Sequence, residues 1–217
     1  YTKYTYQEVI ETAARNGFKS IMTLLLSLFK RFKFKIVNPT SFISFGNKSI
    51  IKEVINFMES NDIESLFIYS IKLNDISLIE WIIDNYYKTS FTLSKQFYIV
   101  ALSSTIEIWN LFIDKKLSID FNYFGTIKGE LASAKFDVFK LIIKNTPLEM
   151  KENILNDILY PAITKNNKDL VTFLFSQNIE FENDEDSLFL AVNTQDIEMI
   201  DIVLKYNSQP NFINAIS

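Results

Sequence analysis

The feature that most constrains what this chain can fold into is a ten-residue pattern that returns seven times. GFKSIMTLLL begins at residue 17, GNKSIIKEVI at 46, NDISLIEWII at 74, STIEIWNLFI at 104, AKFDVFKLII at 134, NNKDLVTFLF at 166 and QDIEMIDIVL at 195. Their starts lie 29, 28, 30, 30, 32 and 29 residues apart. In each, apolar residues fall at i, i+1, i+4 and i+5 or nearby, which on a 3.6-residue period is one broad helical stripe. The Gly, Asn, Ser or Gln at the head suits a tight turn or N-cap, and a Ser, Glu or Asp in the first turn complements the helix dipole.

Ahead of most stretches lies a second, shorter apolar segment: EVIETAARN at 8, ESLFIYSIKL at 64, QFYIVALSS at 96, ILNDILYPAITK at 154 and DSLFLAVNT at 186. Each unit therefore reads as helix, short turn, helix. Loops such as KFKIVNPTS, YYKTSFT, KKLSIDFNY, NTPLEMKEN and QNIEFENDED hold most of the turn formers between units. A lone helix pair cannot bury its apolar face, so neighbours must cover one another. The expectation is an all-α fold, an α-solenoid over residues 1–217, with outer helices near 17–30, 46–59, 74–87, 104–116, 134–145, 166–177 and 195–206. Ile82, Ile83, Phe112, Ile113, Ile142, Ile143, Leu174 and Val203 are expected to fill the interfaces, and Trp81 and Trp109, on the same stripe, to be core residues.

The units resemble degenerate ankyrin repeats. SLFLAVNTQDIEMIDIVLKYNSQPN follows that family's order of a short inner helix with a buried alanine, a polar turn, an outer helix ending in an apolar triplet, and a closing Pro-Asn; ETAARNGFKSIMTLLL is nearly as good. The resemblance covers about 200 residues, with departures from the family pattern. No unit keeps the T-P-L-H signature, the turn glycine stands only at Gly17 and Gly46, and the spacing is short. Around 31–45 and 124–133 the pairing into regular units is left open. The resemblance implies a non-enzymatic protein-binding scaffold or adaptor that meets its partner through loop tips and inner helices.

Composition removes several chemistries. The chain has no cysteine and no histidine, which leaves no disulfide, no thiolate nucleophile, no imidazole base, and few means of holding zinc, haem or an iron–sulfur cluster. No catalytic constellation, cofactor motif or metal site is expected. No apolar run reaches the length of a bilayer span, and the lack of disulfides favours a reducing, intracellular and cytoplasmic setting. The chain starts at Tyr1 and closes on NFINAIS, the opening of another inner helix, so it reads as part of a longer protein. Gly125 and Gly129 in GTIKGE read as loop glycines, NDED at 183 as solvated charge, and Asn47-Lys48-Ser49 as a chance match to a glycosylation acceptor.

Charge is unevenly spread. Residues 1–60 carry nine positive and four negative side chains, and the remainder thirteen and twenty-two, within an overall charge of −4. FKRFKFK, residues 29–35, is the basic focus; EFENDED, residues 180–186, is the acidic one. Phe29 should end an outer helix and Arg31 to Lys35 enter a loop, where Phe32, Phe34 and Ile36 alternate with Lys33 and Lys35 as in an extended finger with one wet side. The plain reading is a solvated charge run over packed rings. The functional reading makes Arg31, Phe32, Lys33, Phe34, Lys35, Tyr86, Tyr87, Tyr123, Phe124, Glu180, Glu182, Asp184 and Glu185 partner-contacting residues: opposite charges orient a protein partner and aromatic rings anchor it. The alternative is nucleic acid or an anionic surface held by residues 29–35, disfavoured by a sequence pI near 5.0.

Overall fold

The computed structural model describes residues 3–32, 51–52, 54–58, 60–87, 93–177 and 184–207. Among them the chain is helical and holds no strand. It divides into two compact units, Tyr1–Ser104 with Asn110–Leu117, and Thr105–Trp109 with Ser118–Ser217.

The first unit opens with α1 (Lys3–Arg15) packed on α2 (Lys19–Phe32). Ile10, Ala13 and Ala14 of α1 and Met22, Leu26 and Phe29 of α2 are buried, the three- and four-residue spacing of one helical stripe. A 3₁₀ turn at Ile55–Phe57 precedes α3 (Ser60–Lys72), which packs on α4 (Ile76–Tyr86) and on α5 (Lys95–Leu102). Phe67 lies at the centre of this unit. Its ring is 4.8 Å from Tyr87, 5.1 Å from Phe97 and 5.9 Å from Phe112. The unit division falls within α6 (Ile106–Asp114).

The second unit holds α7 (Asn122–Thr126), α8 (Lys128–Ala132), α9 (Phe136–Asn145), α10 (Leu148–Thr164), α11 (Lys168–Phe175), α12 (Asp184–Asn193) and α13 (Ile197–Asn207). Helices α8, α10 and α12 pack one on the next, α11 packs on α13, and each of α10 and α12 also packs on the helix that follows it. Ser187 and Ala191 are fully buried on α12, small side chains that permit close helix approach.

Four helix-to-helix turns place one residue in the left-handed region at the same point of the unit: Gly17 (φ 68°), Asn74 (54°), Asn166 (54°) and Gln195 (57°). At Gly17, Asn74 and Asn166 its N–H bonds back three residues and the next N–H bonds back five, the Schellman arrangement that satisfies the last carbonyls of the preceding helix. The following residue then caps the outer helix: Asp75 Oδ1 accepts from Leu78 N–H (3.2 Å), Asn167 Oδ1 from Leu170 N–H (3.2 Å) and Asp196 Oδ1 from Met199 N–H (3.3 Å). Asparagine tolerates the left-handed region better than other non-glycine residues, which is how the turn survives without glycine. The turns at Ser103–Ser104 and Ser133–Ala134 contain no positive-φ residue; there Ser104 Oγ donates to the Ala101 carbonyl (2.6 Å) and Ser133 Oγ to that of Gly129 (2.9 Å).

Three sequence expectations change. Helix α2 runs on through Phe32, so Arg31 and Phe32 are helical rather than part of a loop; no glycine or proline stands there to stop the helix. NTPLEMKEN is not a loop throughout, because α10 begins at Leu148 directly after Pro147, whose carbonyl accepts from Met150 and Lys151 N–H. Gly125 and Gly129 lie within α7 and α8, not in a loop. The expected interface residues Ile82, Ile83, Phe112, Ile142, Ile143, Leu174 and Val203 are buried, while Ile113 is half-buried. Trp109 is buried beside Phe124; Trp81 is only half-buried.

Candidate functional site

Of the thirteen residues singled out from the sequence, Lys33, Phe34, Lys35, Glu180 and Glu182 lie outside the described residues, as do Asn47-Lys48-Ser49 and NFINAIS. Asp184 and Glu185 open helix α12.

Arg31 and Phe32 stand on the last turn of α2, with the guanidinium 5.8 Å from the ring centroid and the ring 58% exposed. A cation over an aromatic face in water is a weak attraction, about 0.5–1 kcal/mol, so this pair can be recruited to a partner at small cost. Lys30 and Arg31 also sit at the negative end of the helix dipole, which favours cations there.

Tyr87 and Phe124 are corrections. Phe124 is fully buried against Trp109 and Phe121, and Tyr87 is buried against Phe67, so neither ring is a surface anchor. The cause is local: Phe124 lies within a one-turn helix whose inner side faces the core, and Tyr87 closes α4 over Phe67. Burial, with the nearby Glu64 carboxylate, pushes the Tyr87 phenol well above its ordinary range, so it stays neutral. Tyr123 is half-buried, and its carbonyl accepts from Thr126 Oγ1 (2.8 Å).

Tyr86 belongs to a cluster that the sequence reading missed. Its hydroxyl donates to Asn56 Oδ1 (3.1 Å), its ring lies 5.7 Å from Trp81, and Lys52 Nζ sits 5.3 Å from the Trp81 centroid. Burial raises the Tyr86 pKa, which holds it as a donor. Amphipathic side chains at one rim, half in and half out of the core, suit recognition of a polar partner with an apolar body.

Polar contacts recur one unit apart. Tyr86 meets Asn56, Ser94 N–H meets Glu64 (2.7 Å), Asn166 meets Asp196 (2.8 Å) and Lys168 meets Glu198 (2.6 Å), each pair separated by 30 residues; Lys115 meets Asp84 across 31. Lys115 also bridges to Glu80 (2.8 Å), and Lys168 to Asp196 (2.8 Å). Hydrogen bonds from Glu80 and Asp84 raise the Lys115 pKa, and those from Asp196 and Glu198 raise that of Lys168. The Asn166 amide and then the Lys168 ammonium hold the Asp196 carboxyl well below the usual carboxylate range.

Among the described residues no group of His, Cys, Asp or Glu is arranged to hold a metal ion, and no helix is long and apolar enough to cross a membrane. No model of a known protein family, no curated protein and no solved structure matches the chain.

Proposed function

We propose that the chain is a non-enzymatic protein-binding scaffold built of ankyrin-like helix pairs. The observation that supports it most is the recurrence of side-chain contacts at a fixed offset of 30 or 31 residues within each unit. Such contacts commit one set of side chains to joining neighbouring helix pairs, and leave the outward residues of the inner helices for recognition. Gln96 and Ser103 are exposed on or beside α5 in the first unit, and Glu130 and Asn153 on α8 and α10 in the second. The partner is a protein, met in the first unit through Gln96, Ser103, the Lys52–Trp81–Tyr86 rim and the Arg31–Phe32 turn.

Affinity capture at low and high salt, scored for proteins and for nucleic acid, tests this reading. One stoichiometric protein that survives high salt is the expected result. Recovery of RNA or DNA that disappears with salt and with Lys30→Glu and Arg31→Glu would overturn it in favour of phosphate binding through the basic segment. With the true partner in hand, the same double variant should slow association at low salt and leave dissociation nearly unchanged.

A further inference from the structure

Trp81 is larger than its place in the fold requires. In the ten-residue pattern it takes the eighth position, which Leu24, Leu111, Leu141, Phe173 and Ile202 fill in other helix pairs. Leu24 is exposed there, and the other four are half-buried, as Trp81 is. An aliphatic side chain serves the packing at four of these five positions, so the broad face of an indole is more than the core needs.

The groups around this indole come from the preceding segment and are set for a ligand of one charge. Ile51, Lys52 and Val54 are helical and lead into the 3₁₀ turn Ile55–Phe57, so Lys52 and Asn56 stand four apart along a helical run, the spacing of neighbours. Lys52 is exposed, its Nζ lies 5.3 Å from the Trp81 centroid, and among the described residues no carboxylate pairs with it. Lys115, Lys128 and Lys168, by contrast, each hold a carboxylate. The Tyr86 hydroxyl takes up Asn56 Oδ1 and leaves the amide N–H groups of Asn56 as donors. The Trp81 and Tyr86 rings meet at 60°, an apolar corner beside an ammonium and an amide. Glu80 and Asp84, the carboxylates of the same helix, both bridge Lys115 and so do not compete for Lys52.

We propose that this corner docks an acidic peptide segment of the partner protein: a carboxylate meets the Lys52 ammonium and the Asn56 amide, and an apolar side chain close to it in the partner's sequence lies against Trp81 and Tyr86. Charge complementarity selects the acid. Lys52 is a cation with no counter-ion, held in place by the indole and open to solvent, and residues 1–60 carry nine positive against four negative side chains, a field that steers anions towards this unit. A preformed ammonium also loses little freedom when the carboxylate arrives. The inference rests on the protein-binding reading and supplies the partner's chemistry at one of its sites. Salt screens the charge contact and slows association, while the apolar contact with the indole persists.

Selection of a random seven-residue peptide library on the full chain tests it. Binding of each selected peptide is read from Trp81 fluorescence, since Trp109, the other tryptophan, is buried. Selected peptides should pair Asp or Glu with an aromatic or branched apolar residue one or two places away. Lys52→Met should weaken them roughly tenfold at low salt and remove the acid preference from a repeated selection. Trp81→Leu, which places there the residue found at three equivalent positions, should weaken them at least as much by calorimetry. Lys140→Met, which lifts a cation from the Phe136 ring in the second unit, should change nothing. Circular dichroism confirms that each variant folds. Enrichment of basic peptides overturns the proposal, because the partner's cation then takes the place of Lys52 on the indole. A selection that enriches nothing overturns it too, as do acidic peptides indifferent to both Lys52→Met and Trp81→Leu. Oligothymidylate that displaces the peptides and fails with Lys52→Met overturns it in favour of a phosphate site. A protein partner captured equally well by both variants defeats this inference and spares the scaffold reading; acidic peptides held at this corner with no protein captured defeat the scaffold reading alone.

Discussion

Two junctions between neighbouring helix pairs, one in each compact unit, are built by different means. In the first unit α3 meets α5 through rings: Phe67 touches Phe97, Tyr87 and Phe112, and Phe97 lies 5.5 Å from Phe112. In the second unit α10 meets α12 over Ser187 and Ala191, and α11 meets α13 beneath a rim where Lys168 bridges Asp196 and Glu198 and the Phe175 ring stacks on Tyr206 at 3.9 Å. One junction gains its stability from buried aromatic area, the other from close approach of small residues with polar contacts at the edge. The difference teaches that the periodic frame fixes where helices meet and leaves open what fills the contact.

The largest effect should come from emptying the aromatic junction. Phe67→Ala is expected to cost about 3–5 kcal/mol, since a fully buried ring is lost and a cavity remains. Hydrogen exchange should show the loss in α3 to α5; a cost below that of a surface substitution would mean the rings are not what holds this junction. Overfilling the other junction tests its dependence on small residues. Ala191→Leu should cost about 1–3 kcal/mol and speed exchange in α12. The same change at an exposed site such as Asn193 should cost little.

Caps come next. Asn167 joins the two roles, accepting from Leu170 N–H while its amide donates to the Ala132 carbonyl at 2.8 Å. Asn167→Ala should therefore cost about 1–2 kcal/mol in thermal or urea melts, and a cost no larger than that of an exposed turn substitution would show that neither bond matters. Gln195→Gly runs the other way. Glutamine at φ 57° is strained, and glycine should stabilise the turn by up to about 1 kcal/mol. Asn74→Gly should gain less.

The smallest effect at neutral pH belongs to the rim. Asp196 is more acidic in the folded than in the unfolded chain, so its contribution is present above its ordinary pKa of about 3.9 and is lost as pH falls through the acid range. Asp196→Asn should flatten the acid side of the stability profile and differ from wild type only slightly in high salt. Equal acid sensitivity in both proteins would show that the Asn166 and Lys168 contacts of Asp196 add nothing to the junction.

Much of the helical frame was legible because apolar stripes at 3.6-residue spacing leave few alternatives. Asn74 and Asn166 announce a left-handed turn by their residue type; Gln195 does not, and its conformation is imposed by the helices on either side. The candidate surface was less legible. Phe32 fits both an alternating strand and a continuing helix, and the helix won because nothing in Phe29–Phe32 breaks it. Tyr87 and Phe124 each sit near a loop in sequence and in the core in space: Tyr87, one residue past α4, folds back over Phe67, and Phe124 lies on the inner side of a one-turn helix. Exposure of single aromatics depends on which neighbour covers them, and a linear pattern does not record that.

The common turn frame has a consequence for how such a chain can change length. Asn166 and Gln195 occupy the same place, followed by the equivalent caps Asn167 and Asp196 and the equivalent buried residues Leu170 and Met199. Excising residues 167–195 would join Asn166 directly to Asp196 and rebuild the turn without a scar, sending α10 straight into α13. A cut whose ends fall at other points of the helix pair would leave a cap without its helix. The molecule thus carries its own ruler, and recombination at these four turns is the route by which whole helix pairs could be added or lost while every remaining junction stays in register.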